Sequence, residues 1–283
     1  MKLKSKGKSL VVTIVIYSCL IFIIPTVILL SKIYFSDIVN LEDEIANTSL
    51  NHVRYLSNSM EKKLSNLDTI ALKISQEHKI SKYYMSRGLT AEMDGISEIA
   101  KYKEINGFVD DILVYFRNDD YIYSSEGRSS FDAMFNLVYQ YPANMRYDII
   151  NNLNNLEKPL MMPSEEVLVK GIDKQNIITY IYPIKNEYEK LNMAVMFVIS
   201  DKSIINEIKL NYNNKLGEVF ILDSKDHVIA STGSQLVNVS ELSPNFFVNL
   251  QNNDISTATH NKEKYILTSS SINNTNLKLT LVA

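Results

Sequence analysis

The sequence predicts an α+β protein in which one membrane-spanning helix and a long amphipathic helix precede two tandem antiparallel-sheet domains. Three observations support this fold class. A charge-free apolar run lies near the N-terminus, a long segment without glycine or proline follows it, and a strand–turn–strand pattern near residue 111 recurs 106 positions later. Helical spacing in one part of a chain and strand patterns in the others are typical of α+β folds.

The apolar run, Leu10 to Ser31, predicts a transmembrane helix. Its 22 residues carry no charge, and a helix of this length crosses the roughly 30 Å hydrocarbon core of a bilayer. A cleaved signal peptide is the alternative, but its apolar core spans only about 7–15 residues and is followed by a small-residue cleavage site. The residues after Leu30 offer no such site, so we expect a retained anchor.

The distribution of charge predicts the orientation. Residues 1–9 contain four lysines and no acid, and positively charged flanks stay in the cytoplasm. We therefore expect a cytoplasmic tail (1–9), a transmembrane helix (10–31) and an extracellular chain from about residue 35. The only cysteine, Cys19, lies inside the span, and a cysteine-free exterior fits a domain exported across a bacterial cell membrane.

Composition limits the ligands of the exterior. Beyond residue 8 the chain carries 25 basic and 32 acidic side chains. This acidic balance argues against nucleic acid or anionic lipid as a ligand of these residues.

From Phe35 onward the sequence predicts one long amphipathic helix. No glycine or proline occurs between Pro25 and Gly88, and apolar residues recur mostly at steps of three and four, as on one face of a helix. These residues are Ile38, Leu41, Ile45, Val53, Leu56, Met60, Leu64, Leu67, Ala71 and Ile74. Polar residues at 48, 49 and 52 interrupt the heptad, so we expect this helix to pack on its own domain and to form a homodimer near the membrane.

An internal duplication is the most informative pattern in the sequence. The predicted hairpin strands Asp111–Phe116 and Tyr121–Ser125 align without a gap with Val219–Leu222 and His227–Ser231. The identical pairs are Asp120 and Asp226, Ser125 and Ser231, and Gly127 and Gly233. Self-similarity at a fixed offset indicates a repeated structural unit.

Each copy continues with helical segments and two further strands, so that each half is predicted as β-β-α-β-β. The first half adds helices Phe131–Tyr139 and Asn144–Leu156, strands Asn176–Ile184 and Met193–Ile199, and the turn Lys185–Lys190. The second adds helix Leu242–Leu250, strand Lys264–Ser270, the turn Asn273–Asn274 and strand Leu277–Val282. A bridge helix, Asp201–Leu210, joins the halves. The predicted domains are therefore residues 35–200 and 201–283.

Catalytic and metal-binding motifs are absent from the sequence. The four histidines stand alone, and neither a P-loop nor a nucleophile elbow occurs. We therefore expect no enzyme activity, no cofactor and no metal site in these residues. The acid pairs Asp110–Asp111 and Asp119–Asp120 lie at a strand start and in a turn, where carboxylates are usually solvated.

Tyrosines suggest a ligand site. The chain has 17 tyrosines and no tryptophan. Alternation places Tyr121 and Tyr123 on one face of a strand and Tyr180 and Tyr182 on one face of another, and Arg128 directly follows the hairpin. An aromatic wall with one guanidinium suits a small carboxylate or a sugar-like ligand. The alternative is that these tyrosines complete a half-buried sheet with their hydroxyls at the surface.

The segments DDILVYFRNDDYIYSSEG, IITYIYPI, MAVMFVIS and GEVFILDSKDHVIAS, together with the anchor and the long helix, resemble the extracellular double Cache region of bacterial transmembrane receptors. The resemblance covers residues 10–283 and is greatest to membrane-bound AraC/XylS-type transcription regulators of low-GC Gram-positive bacteria. Sensor histidine kinases carry similar front ends. It implies two PAS-like domains, of which the membrane-distal one binds the ligand. The amino-acid signature of some double Cache domains pairs Arg with Trp and Tyr, and this chain departs from it because it has no Trp.

The resemblance implies a ligand-sensing region of an AraC-family regulator, with a small extracellular ligand and with DNA bound only through a region not present here. A histidine kinase front end and a complete membrane-tethered binding module are the alternatives. The final strand has no second span after it, so we expect a longer protein. After Ala283, a second apolar run and a helix-turn-helix would indicate a regulator, nucleotide-binding motifs would indicate a kinase, and a stop codon would indicate the tethered module.

Overall fold

A computed structural model describes most of the chain. The described residues are 4–185, 191–212, 216–223, 225–233, 246–247, 254–273, 275 and 277–283, with side chains from Tyr17 onward apart from Leu191. The chain divides into two compact units, Met1–Thr48 and Ser49–Ala283. The predicted fold class is confirmed, because a long helix that contains the apolar run precedes two antiparallel sheets.

The elements are as follows. The helices are α1 (Lys4–Gln76), a 3₁₀ turn (His78–Ile80), α2 (Lys82–Met85), α3 (Leu89–Ile105), α4 (Phe131–Ala133) with a π turn (Met134–Val138), α5 (Ala143–Asn155) and α6 (Asp201–Asn211). The strands are β1 (Asp111–Phe116), β2 (Tyr121–Ser124), β3 (Gly127–Ser130), β4 (Tyr139–Gln140), β5 (Leu160–Met161), β6 (Glu165–Val169), β7 (Asp173–Lys185), β8 (Leu191–Ser200), β9 (Glu218–Leu222), β10 (Val228–Ser231), β11 (Ile255–His260), β12 (Glu263–Ser271) and β13 (Lys278–Val282).

Helix α1 contains both the apolar run and the amphipathic segment. It is the one helix among the described residues that is long and apolar enough to cross a membrane. Beyond residue 48, most of the predicted stripe is buried, and Leu64 is half-buried. Val53, Leu56, Met60, Leu67, Ala71 and Ile74 are at most 2% exposed. The prediction that this helix packs on its own domain is therefore confirmed, whereas the homodimer stays a prediction.

The two sheets repeat one topology. Sheet 1 has the order β3-β2-β1-β8-β7-β6-β4, with β5 also paired to β7, and sheet 2 has the order β10-β9-β13-β12-β11. The order β2-β1-β8-β7-β6 in the first sheet corresponds to the whole second sheet. The duplication in the sequence is thus a duplication of strand order.

Some elements differ from the prediction. Strands β3, β5, β6 and β11 were not predicted. The segment Phe131–Tyr139, predicted as one helix, is instead a short helix, a π turn and the start of β4. Tyr139 and Gln140 pair with β6, and the following Pro142 disfavours a helical conformation just before it, so the chain leaves the helix. Residues 186–190, Asn274 and the predicted helix Leu242–Leu250 apart from Phe246 and Phe247 lie outside the described residues.

Sheet 1 is covered on both faces, which explains why its central strands are apolar at almost every position. We name the faces by the helices that cover them. The α1 face includes Ile112, Val114, Val195 and Phe197 and packs on α1 and α3. The α5 face includes Leu113, Met196 and Val198 and packs on the π turn and α5. Each fully buried large apolar side chain contributes about 1.5–3 kcal/mol to the free energy of unfolding.

The entry into sheet 2 requires a glycine. Gly217 precedes β9 with a φ of +148°, and a Cβ atom there would lie 2.1 Å from the carbonyl oxygen of Val282. The hydroxyl of Tyr212, next to the end of α6, donates to the carbonyl oxygen of Gly217 at 3.2 Å. A side chain at this position would therefore displace the last strand of the sheet.

Candidate functional site

The five predicted site residues share the α1 face of sheet 1. Tyr123 pairs with Val114, Val114 with Val195, and Val195 with Tyr182, and directly paired residues of antiparallel strands lie on the same face. Strands β1 and β8 separate the two groups, so Tyr123 and Tyr182 stand about 14 Å apart. The residues therefore form two groups rather than one continuous wall.

The first group contains Tyr121, Tyr123 and Arg128. Arg128 pairs with Tyr123 across β2 and β3, and its guanidinium carbon lies 4.5 Å from the centre of the Tyr121 ring. Its Nη1 atom donates to Oε2 of Glu92, on α3, at 3.0 Å. The charge that was predicted to hold a ligand carboxylate is thus paired with a carboxylate of the chain itself.

The second group contains Tyr180 and Tyr182 on β7. The hydroxyl of Tyr180 donates to the carboxylate of Asp68, on α1, and its ring stacks on Phe197 with centroids 6.1 Å apart. Burial, together with the hydrogen bond to Asp68, raises the pKa of Tyr180. This tyrosine fastens the sheet to α1, and a ligand-binding role of either group stays a prediction.

The opposite, α5 face carries a buried polar cluster centred on Asp111. This residue is 3% exposed. Its Oδ1 accepts from Ser125 Oγ and from the backbone nitrogen of Ile112, both at 2.9 Å, and its Oδ2 accepts from the hydroxyl of Tyr139 at 3.2 Å. The expectation that Asp111 is solvated was wrong, because Asp111 pairs with Val198 of the central strand β8 and lies on a covered face.

Two of the other three carboxylates in the predicted acid pairs also have partners within the protein. Asp110 accepts from the backbone nitrogen of Ser200 and from Ser203 Oγ at the start of α6. Asp119 lies 3.5 Å from the ammonium nitrogen of Lys82, whereas Asp120 is exposed. Only Asp120 matches the solvated state that was predicted for all four carboxylates.

Burial controls the ionisation of this cluster. It raises the pKa of Asp111, and the hydrogen bond from Ser125, the charge of Lys103 and the bonds from Ile112 and Tyr139 partly oppose that rise. Burial also raises the pKa of Tyr139, and the adjacent Asp111 raises it further. The hydroxyl of Tyr139 therefore stays protonated and donates, while Asp111 is the acceptor of the cluster.

A second buried polar pair lies near the first. The hydroxyl of Tyr141 and Oγ1 of Thr179 are 2.8 Å apart, and Thr179 is fully buried. Thr179 pairs with Val198, which pairs with Asp111. Thr179 and Asp111 therefore lie in one cross-strand row of the α5 face, about 10 Å apart.

A cavity of about 370 Å³ opens beside Tyr141. Its wall includes Phe135, Gln140, Tyr141, Arg146, Glu166 and Lys174. Helix α5 buries Met145, Ile149 and Leu153 against the sheet, so the adjacent Arg146 lies at the cavity rim. The ammonium nitrogen of Lys174 is 2.6 Å from Glu166 Oε1. Within the described part of the chain, Arg146 has no ion-pair partner. The volume lies within the range of small-ligand pockets.

This arrangement suits a small ligand with two polar ends. The guanidinium of Arg146 can hold a carboxylate by two parallel hydrogen bonds. The Phe135 and Tyr141 rings, with centroids 6.1 Å apart, offer an apolar wall. Asp111 does not line the cavity, and both of its carboxylate oxygens already accept hydrogen bonds. An amine or a hydroxyl of a ligand would reach it by replacing one of these donors. The sequence analysis missed Arg146 because it occurs in an ordinary amphipathic helix. The one pattern that could have indicated a buried Asp111 was its position at the start of a wholly apolar strand.

Metal binding has no visible basis in the described residues. No group of three or more His, Cys, Asp or Glu side chains there is placed to hold an ion.

Solved structures share this architecture. No protein-family model matches the sequence, and no curated protein matches it. The sensory domain of the Campylobacter jejuni chemoreceptor Tlp3 with isoleucine bound is similar over 87% of this chain and 94% of that chain, with a TM-score of 0.60 and 12% identity. The extracellular domain of the histidine kinase vpHK1S-Z8 matches over 86% and 92%, with a TM-score of 0.61 and 12% identity. This chain has the fold of bacterial sensory domains.

A third structure with this sensory fold is methyl-accepting chemotaxis protein X. It matches 86% of this chain and 98% of its own length, with a TM-score of 0.57 and 11% identity. The three structures come from two classes of receptor, chemoreceptors and a histidine kinase. The sensory fold therefore does not distinguish among output domains.

Proposed function

We propose that this chain is the extracytoplasmic ligand-sensing region of a transmembrane signalling receptor and that its ligand binds on the α5 face of sheet 1. One observation carries the proposal: a cavity of about 370 Å³ is lined by Arg146 and by Tyr141, whose hydroxyl contacts Thr179 in the same cross-strand row as Asp111. The guanidinium at the rim sets one polar end of the ligand, and the other end would reach Asp111 by replacing one of its present hydrogen-bond donors.

The chemistry favours a small carboxylate that also carries an amine or a hydroxyl. Arg146 would take the carboxylate and Asp111 the other group. Amino acids belong to this class, and solved structures of the Tlp3 domain contain isoleucine or L-valine. The lack of tryptophan, which argued against amino acids in the sequence, is offset by the Phe135 and Tyr141 wall.

The signal would reach α1 as a shift between two arrangements of the domain. A ligand needs to favour one arrangement by only a few kcal/mol to change its population substantially. We further propose that α1 anchors the receptor in a bacterial cell membrane with residues 1–9 in the cytoplasm, in line with the lysine asymmetry.

Two outputs have separate support. The sequence resemblance favours an AraC-type regulator, and a histidine kinase stays a candidate because the extracellular domain of vpHK1S-Z8 has the same fold. A membrane-tethered binding module is the third candidate. The coding sequence downstream of Ala283 distinguishes all three.

The site is tested by a ligand screen on the full chain in detergent. Small carboxylates, amino acids included, are ranked by the rise in melting temperature, and affinities of the hits are measured by calorimetry. Arg146→Gln is expected to weaken binding by about one to two decades, because a charged hydrogen bond is worth roughly 1.5–3 kcal/mol. The matched control is Arg117→Gln, an exposed arginine on the β1–β2 turn. Unchanged affinity in Arg146→Gln would remove the cavity from the proposal, and a screen without a single hit would refute the ligand class.

A further inference from the structure

A second, larger cavity lies between α1 and α3, outside the site on the α5 face. It has a volume of about 720 Å³, and its wall includes Lys62, Asn66, Lys73, Tyr102 and Asn106. We name it the α1–α3 groove. All of its lining residues belong to the segment from Ser59 to Asn106, so it is independent of the residues that form the proposed sensory site.

The groove is cationic within an acidic exterior. Three lysines line it, and no aspartate or glutamate occurs among its described lining residues. The ammonium nitrogen of Lys63 forms an ion pair with Oε2 of Glu207, on α6, at 3.1 Å. Lys62 and Lys73 have no ion-pair partner among the residues that the structure describes. Charges within a Debye length of about 8 Å dominate the local potential, so an anion in the groove would experience these lysines. Glu77 and Glu98 act on the Tyr102 hydroxyl at the groove wall and weaken the attraction at that end.

One of the residues that line the groove carries a hydrogen-bond donor without an acceptor among the described residues. Asn106 follows the end of α3 and is only 8% exposed. Its side-chain nitrogen Nδ2 is buried and has no acceptor in the described part of the chain. Buried polar groups are almost always paired, so a missing partner of this kind requires an explanation. One explanation is that a bound anion supplies the acceptor oxygen, since the lysines of the groove would attract such an anion.

The spacing of the cations sets the shape of the ligand. Lys62, Asn66 and Lys73 lie at positions that share one face of α1, since steps of four and seven residues return to the same side of a helix. The Cα atoms of Lys62 and Lys73 are about 16 Å apart along the helix axis. A molecule that contacts both therefore extends along roughly three helical turns.

We propose that the α1–α3 groove binds an extended polyanion, with Lys62 and Lys73 contacting separate anionic groups. Asn106, whose Nδ2 atom is closed to solvent in this structure, would turn to donate to another oxygen of the ligand. Oligophosphates and oligocarboxylates share this chemistry. The exposed side chain of Ile105 and the ring of Tyr102 provide apolar contacts for the backbone of such a ligand.

The test measures binding of linear oligophosphate, oligoglutamate and inorganic phosphate to the full chain in nonionic detergent. We expect one of the oligomers to bind, to bind more tightly than inorganic phosphate, and to weaken as the salt concentration rises from about 0.1 to 0.5 M. The oligomer that binds identifies phosphate or carboxylate as the source of the charge. The absence of binding by both oligomers would overturn the proposal.

Paired variants locate the binding. Lys62→Gln with Lys73→Gln should reduce the affinity at least about tenfold, and Asn106→Leu should reduce it several-fold. The control is Lys158→Gln with Lys209→Gln, which removes the same charge from two exposed lysines outside the groove. Equal losses in the two double variants would show non-specific attraction and overturn the proposal. Melting temperatures of the lysine variants check that folding is retained, because exposed lysines contribute little to stability.

Discussion

The hydroxyl of Tyr180 donates a hydrogen bond to the carboxylate of Asp68 and so joins strand β7 to helix α1. The preceding residue, Thr179, points to the opposite face of the sheet, where Oγ1 contacts the hydroxyl of Tyr141. Two adjacent residues of one strand thus touch the candidate site and the long helix. If a bound ligand displaced Tyr141, the movement would reach α1 through two adjacent residues, Thr179 and Tyr180.

Removal of the Tyr180 hydroxyl should destabilise the domain. We expect Tyr180→Phe to lower the free energy of unfolding by about 1–2 kcal/mol, because a half-buried hydrogen bond to a carboxylate is lost. The measurement is urea denaturation of the full chain in detergent. Tyr182→Phe is the control, since Tyr182 lies on the same face and its hydroxyl has no hydrogen bond among the described residues. Equal losses in the two variants would contradict the role assigned to Tyr180.

Asp111 should make stability depend on pH. Burial raises its folded pKa above the ordinary value of 3.8. The contribution of the Asp111 carboxyl group to the free energy of unfolding is therefore fully present below that ordinary value, and it is lost as the pH rises through the folded pKa. In Asp111→Asn this loss is absent, so the stability of the variant relative to wild type should increase from pH 4 to 7. Unfolding free energies across this range test the effect, with the exposed Asp120→Asn as control, and a constant difference across the range would argue against a raised pKa.

The variant Arg128→Ala tests which face of sheet 1 binds the ligand. Its side chain is 42% exposed and pairs with Glu92 at the surface, so its removal should cost at most about 1 kcal/mol of stability. With the ligand on the α5 face, the affinity measured by calorimetry should stay unchanged. A loss of one to two decades in a folded variant would instead place the ligand beside Tyr121, Tyr123 and Arg128.

The orientation in the membrane is tested by reporter fusions. The lysines of residues 1–9 hold the N-terminus inside the cell, so Ser200 should lie outside. A reporter enzyme that requires export should therefore be active when it is fused after Ser200, and one that requires the cytoplasm should be inactive there. An N-terminal fusion serves as the reciprocal control and should show cytoplasmic activity. The reverse pattern would invert the topology.

Chelation should leave the fold intact. The described residues contain no cluster suited to a metal ion, so the melting temperature of the full chain should be the same with and without a strong chelator. A drop of several degrees that is reversed by added metal would reveal a site.

The strands with continuous apolar runs could be predicted from the sequence, and the polar ones could not. β1 has the predicted bounds, and the predicted β2 and α6 each differ from the structure by one residue at the C-terminal end. β3 consists of Gly-Arg-Ser-Ser, and β11 reads Ile-Ser-Thr-Ala-Thr-His. Both are edge strands, and an edge strand needs little apolar surface because only one neighbour and one covered face constrain it.

The candidate site was harder to predict than the fold. Asp110 and Asp111 are adjacent and chemically identical, and only the pairing of β1 with β8 decides which one faces the α5 side. Arg146 reaches the same region from a helix that is remote in sequence from the hairpin. Proximity of this kind follows from sheet order, which local patterns do not encode.

The shared strand order of the two sheets has a consequence for folding. Tandem units with one topology can exchange equivalent strands while they fold, and such misassembly is a characteristic failure of repeat proteins. In the aligned hairpins only three of fifteen residues are identical. The side chains of one hairpin therefore do not complement the partner strands of the other. Divergence between the two copies protects the chain from pairing a strand with the wrong sheet.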